Sequence, residues 1–106
     1  MQNSAETAIS EELQRQIVAT VARHLAGWHY RLYLFGSRTQ GRSTPHSDYD
    51  LGLLPEHPIE LAILARIRGE LEALPILQMV DLLDLHNASP ELIRSALNEG
   101  ELLDEQ

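Results

Sequence analysis

The stretch Leu32-Tyr33-Leu34-Phe35-Gly36-Ser37-Arg38-Thr39-Gln40-Gly41-Arg42-Ser43-Thr44-Pro45-His46-Ser47-Asp48-Tyr49-Asp50-Leu51-Gly52-Leu53-Leu54 decides the reading of this chain. Two apolar runs, 32–35 and 51–54, flank a loop rich in glycine and hydroxyl residues, which predicts two core strands joined by a functional loop. Asp48 and Asp50 lie two apart, so on a strand both carboxylates project to one side, with α-carbons roughly 6.6 Å apart. Like charges at that spacing on an apolar strand repel, and a divalent cation is a reason to keep both. Carboxylate oxygens suit Mg2+, which in nucleotide enzymes takes one or two of them and shares itself with substrate phosphates. Gly36-Ser37 closes the first run; a glycine there permits a tight turn, and backbone N–H groups with the Ser37 hydroxyl can receive phosphate oxygens. Read singly, Gly36-Ser37 is also an ordinary turn, and Asp48 and Asp50 are also a turn residue and a solvated strand end.

Around that core of the motif, Arg38 and Arg42 bracket the turn and are its nearest cations, able to fork onto phosphate, with solvated surface positions as the alternative. Ser47 is placed to hydrogen-bond locally and fix Asp48. His46 reads as an exposed loop histidine rather than a base, and Pro45 stiffens the loop. A Walker A loop is excluded, because the chain has no Gly-Lys-Ser/Thr and no lysine at all.

Working outward, Ile9, Leu13, Ile17, Val21 and Leu25 recur every four positions and predict an amphipathic helix packed on the sheet, with Glu11 and Glu12 at its positive end and Gly27 ending it. Trp28 to Phe35 predicts an aromatic-rich central strand covered on both faces, with Tyr30, Tyr33 and Phe35 in the core. Tyr49 to Leu54 is the second strand. After Pro55 and Pro58, a helix is expected from about Ile59 to Leu74, with Ile59, Ile63, Ile67, Leu71 and Leu74 buried and Gly69 weakening it. Ile76 to Leu85 is the third apolar run, read as a strand with Met79, Asp81, Leu83 and Leu85 on one face and Val80, Leu82 and Asp84 on the other. An aspartate inside so apolar a strand is costly unless it is paired or ligates something, which singles out Asp81, with Asp84 nearer the strand end as its competitor. Ser89-Pro90-Glu91 starts a last helix, Gly100 ends it, and Leu102-Leu103 is positioned for a short edge strand.

With 106 residues, the chain reads as a single domain, residues 1–7 frayed, with a modest core. Eight basic residues against sixteen acidic ones give a net charge of -8, which argues against direct nucleic-acid binding and against an anionic membrane surface. No cysteine, no signal peptide and no membrane-spanning run are present, a pattern that fits a cytoplasmic protein.

The segment Gly36-Ser37-Arg38-x-x-Gly41-x-x-x-x-x-Ser47-Asp48-x-Asp50-Leu51 resembles the signature of the minimal nucleotidyltransferases, the MNT group of the DNA polymerase beta-like superfamily, and the likeness extends over nearly the whole chain. The resemblance implies a small α/β nucleotidyltransferase domain with a mixed sheet flanked by helices, in which the second and third strands neighbour the first. It implies that Gly36, Ser37, Arg38 and Ser47 surround the nucleotide while Asp48 and Asp50 hold a metal-bound nucleoside triphosphate. A third carboxylate on a later strand completes such a site; Asp81, in Val-Asp-Leu-Leu-Asp-Leu, matches it, as general base or as holder of a second metal, with Asp84 the competing choice. The implied cofactor is Mg2+, or Mn2+ in its place, and the implied nucleotide is ATP, whose base the loop itself does not specify. Members of the group pair with helical HEPN-type ribonuclease toxins and some transfer AMP to a tyrosine of that partner. The expectation is therefore an antitoxin that adenylylates its toxin. Two alternatives stand beside it: an antitoxin that neutralises by binding alone, and a small-molecule nucleotidyltransferase that needs a helical partner subunit.

Overall fold

The computed structural model describes residues 9–36 and 48–106. Helix α1 (Glu11–His24) begins where Ser10 caps it, the Leu13 N–H donating to Ser10 Oγ at 3.1 Å, and carries Glu11 and Glu12 in its first turn, where the helix dipole favours acid. Its buried stripe is Leu13, Ile17, Thr20 and Val21, continued beyond its ends by Ile9 and Leu25. Thr20 is tolerated there because its hydroxyl donates to the Gln16 carbonyl one turn back, at 2.8 Å. The helix stops at Leu25, two residues before Gly27, whose φ of +84° turns the chain toward the sheet.

Four strands follow: β1 (Tyr30–Phe35), β2 (Tyr49–Pro55), β3 (Val80–Asp84) and β4 (Glu101–Glu105), in the spatial order β3-β2-β1-β4. β1 pairs antiparallel with both β2 and β4, whereas β2 and β3 run parallel, so the sheet is mixed. A parallel pair requires a crossover, which α2 (Leu61–Glu72) supplies. One sheet face packs Leu32, Leu34, Leu51, Leu53, Val80 and Leu82 against α1 and α2 in the larger core. The other face carries Tyr33 and Phe35, over which pack Leu85, just after β3, and Ala96, Leu92 and Ile93 of α3 (Pro90–Glu99). Ser89 caps α3, Pro90 opens it and Gly100 closes it, as expected from the sequence. Among the described residues no helix is long and apolar enough to cross a membrane.

Polar contacts tie the helices to this frame. His24 Nε2 lies 2.7 Å from Glu70 Oε2, and Arg23 reaches the same carboxylate, so α1 and α2 are joined across the larger core. These two partners, His24 first, hold the Glu70 carboxyl below its ordinary range. Arg68 donates from Nε and Nη2 to the Leu82 carbonyl at 3.1 and 3.0 Å, which latches α2 onto β3.

Three expectations change. The third strand begins at Val80, not Ile76, because its parallel partner β2 begins at Tyr49 and the register starts at Tyr49↔Val80; residues 76–79 have no strand beside them, and Leu77 is 95% exposed. In α2, Ile67 and Leu71 are buried as expected and Ile59 is buried just ahead of the helix, which starts at Leu61, while Leu64 rather than the half-buried Ile63 completes the stripe. Finally, β3 neighbours β2 only, so convergence of carboxylates depends on the β2–β3 pair and not on contact of both strands with β1.

Candidate active site

The geometry of this site follows from the two strand registers. Phe35, the last residue of β1, stands opposite Asp50, and Asp50 stands opposite Asp81 on β3. Residues in register on neighbouring strands project to the same face, so Phe35, Asp50 and Asp81 form one row across three strands. One step along the strands the row is Tyr33, Gly52 and Leu83, which lies beneath the α3-side core. Gly52 makes that cover possible: a Cβ there would sit 2.8 Å from Leu85 Cδ1 and 3.4 Å from Phe35 Cε1. The apolar layer therefore ends immediately beside the acidic row. Gly52 was legible as a glycine inside a strand, a common sign of close approach, but its role against Leu85 was missed.

Gly36 closes the row from the β1 side. Its φ of +85° is a left-handed conformation, and a Cβ at this position would lie 2.5 Å from Asp50 Oδ2. Both the turn and the carboxylate thus require glycine here, which joins the start of the Gly-Ser motif to the second aspartate in space. Asp48, just before β2, is turned toward the other side, where the Met79 N–H donates to its Oδ1 at 3.0 Å; Tyr49 N–H in turn donates to the Met79 carbonyl at 2.9 Å. Met79 was assigned to a strand face by the sequence and its backbone role was not anticipated.

Asp50 is half-buried, and its pKa lies above the ordinary carboxylate value, first through burial and then through the negative charges of Asp81 and Asp48. The three carboxylates therefore share one electrostatic site. Among the described residues none of them is in an ion pair, and no three acidic or imidazole side chains close into a ready-made metal cage. An Asp50/Asp81 pair with Asp48 alongside still fits a Mg2+-type ion, which takes carboxylate oxygens, seldom uses an all-protein cage and completes its octahedron with water and phosphate.

Asp81 is exposed, which corrects the reasoning that singled it out: β3 is an edge strand and this side of it is open, so no burial penalty falls on the carboxylate. What distinguishes it is its register with Asp50. Asp84 has a different occupation, accepting from His86 N and Asn87 Nδ2, both at 3.0 Å, as cap of the single helical turn Leu85–Asn87. Ser37, Arg38, Ser47, Arg42 and His46 lie outside the described residues.

The sequence model of the family described as "Polymerase beta, Nucleotidyltransferase" matches residues 30–106, from the first strand through the last. The chain belongs to this nucleotidyltransferase family. A relative named probable protein adenylyltransferase MntA, from Haemophilus influenzae, is 33% identical over 82 residues, which span 77% of this chain and 69% of the relative. A crystal structure of a toxin–antitoxin with AMP-PNP contains a chain similar in fold, with a TM-score of 0.68 and 25% identity over 86% of this chain and 73% of that one. Similar in fold, too, is a chain in the complex of a tri-AMPylated Shewanella oneidensis HEPN toxin with its MNT antitoxin, with a TM-score of 0.71 and 20% identity over 92% of this chain and 74% of that one. The family's small α/β fold with a mixed sheet is therefore the fold of this chain.

Proposed function

We propose that this chain transfers AMP from ATP to a hydroxyl, a tyrosine by preference, of a HEPN-type toxin and thereby acts as its antitoxin. The observation that carries the reading is the in-register Asp50–Asp81 pair with the Asp50 carboxylate seated against Gly36, on a chain of the nucleotidyltransferase family. A relative named as a protein adenylyltransferase, and toxin–antitoxin complexes built on the same fold with AMP-PNP or an AMPylated toxin, support the choice of nucleotide and acceptor.

In this reading Asp48, Asp50 and Asp81 would hold Mg2+, or Mn2+ in its place, and such an ion would supply neutralisation of the triphosphate charge. Gly36 leaves room for the Asp50 carboxylate and for phosphate to approach the backbone, while Ser37, Arg38 and Ser47 are assigned to the nucleotide by their place in the motif. Asp81, the most open of the acids in the Asp50 row, accepts the proton of the acceptor hydroxyl. That oxygen bonds to the α-phosphorus, the bond from the α-phosphorus to the bridging oxygen breaks, and pyrophosphate leaves. A cytoplasmic location fits this ATP chemistry and the absence of cysteine.

The experiment is to purify the chain with the HEPN-type toxin of its own source organism, add ATP and Mg2+, and record the intact mass of both proteins. A gain on the toxin equal to one or more AMP groups, abolished by EDTA and by Asp48→Ala/Asp50→Ala, is expected. A stable, neutralised complex with no gain in mass would replace transfer by neutralisation through binding. Turnover on a small hydroxyl compound without toxin modification would point to the small-molecule reading instead.

A further inference from the structure

Two large apolar side chains stand in solvent just ahead of β3, the strand that carries Asp81. Leu77 is 95% exposed and Met79 62%, and with Glu72, Ile76, Gln78 and Val80 they line a groove of about 340 Å3. Their segment is not loosely attached. Met79 is clamped through its backbone to the start of β2, its N–H to Asp48 Oδ1 and its carbonyl to Tyr49 N–H, and Asp81 follows only two residues later. The Met79 backbone is thus held at a set position relative to Asp48, with Leu77 two residues before it. Leu77 and Met79 are, with Leu61, the most exposed large apolar side chains among the described residues, and these two line one groove.

We infer that Leu77 and Met79 are the docking pad for the acceptor protein, seating an apolar segment of the polypeptide that carries the acceptor hydroxyl. This rests on the protein-acceptor reading above. Charge selects the occupant. Among the described residues the groove is lined by Glu72 and by no cation, and the Asp48 carboxylate is bonded to the Met79 N–H at its edge. A nucleic acid meets repulsion there, as does a second copy of a chain with net charge -8. A polypeptide with an apolar or aromatic centre and neutral or basic flanks is complementary, and the flexible thioether of Met79 adapts well to an aromatic ring. Two side chains cannot make a whole interface, which needs roughly 800 Å2 on each partner, so the pad acts as an anchor that orients the acceptor over the row.

The test uses the full chain carrying Leu77→Ser/Met79→Ser. Both side chains are exposed and the Met79 backbone bonds survive, so thermal stability and affinity for ATP with Mn2+ should match wild type. Toxin affinity should fall by roughly 10- to 100-fold, with KM for toxin rising and kcat at saturating toxin little changed. Leu77→Ile/Met79→Leu should restore both. Unchanged toxin affinity and KM in the serine variant overturn the pad while leaving transfer intact. If wild type binds toxin without modifying it and the serine variant loses binding, the pad stands and the transfer reading fails. If the serine substitutions only dissociate a homodimer, the pad belongs to a second copy and the inference is overturned; a wild-type chain that neither binds nor modifies toxin overturns both readings.

Discussion

Gly27 and Gly36 form a natural controlled pair. Both adopt a left-handed φ, +84° and +85°, so alanine at either position meets the same conformational penalty, roughly 1–2 kcal/mol, eased by the reduced freedom of the unfolded chain. Each kcal/mol lowers Tm by about 4–8 °C in a domain of this size. Their surroundings differ entirely: a Cβ at Gly27 meets nothing within 4 Å, whereas one at Gly36 meets Asp50 Oδ2 at 2.5 Å. To regain ordinary contact at 3.4 Å the carboxylate must retreat by about 0.9 Å. A displacement of that size at a reacting centre costs on the order of 100-fold in rate. Gly27→Ala and Gly36→Ala are therefore expected to unfold in urea with similar losses of stability, but only Gly36→Ala should lose AMP transfer, by roughly 100-fold, together with Mn2+ and ATP affinity. If the two variants transfer AMP within about threefold of each other, the coupling of Gly36 to Asp50 is wrong.

Two further substitutions probe the same face. Because the folded pKa of Asp50 is raised, its charged form destabilises the fold, and stability declines as pH rises through that pKa; Asp50→Asn should thus abolish transfer yet melt higher than wild type at neutral pH, the gap closing as pH falls toward the ordinary carboxylate value of 3.8. Parallel melting curves for the two proteins between pH 4 and 8 would refute that account. Gly52→Ala should cost about 1–3 kcal/mol by overpacking against the fully buried Leu85, and Leu85→Val in the same chain should recover part of it; strict additivity in a double-mutant cycle would show that the 2.8 Å approach is not the cause.

Much of the architecture was legible because it depends on local chemistry. The four-residue spacing from Ile9 to Leu25 placed α1, Ser89-Pro90 and Gly100 bounded α3, and the two apolar runs around the Gly-Ser loop placed β1 and β2. Errors arose where a neighbour, and not the residue itself, sets the outcome. Ile76 to Met79 has strand composition but no strand to pair with, and in α2 Leu64 takes the buried place expected of Ile63.

By itself the sequence determined the elements, the family motif and the acidic candidates, since periodicity, capping and motif spacing are properties of the chain alone. Only the tertiary structure decided which carboxylates meet. Asp81 was chosen for a burial it does not have, and it is joined to Asp50 by the parallel register of β3 on β2, while the same fold turns Asp84 into a helix cap. Nor could spacing reveal that Gly36 leaves room for Asp50, or that the Met79 N–H holds Asp48. These contacts join residues 14 and 31 positions apart, and what brings them together is strand order and register, which no local pattern encodes.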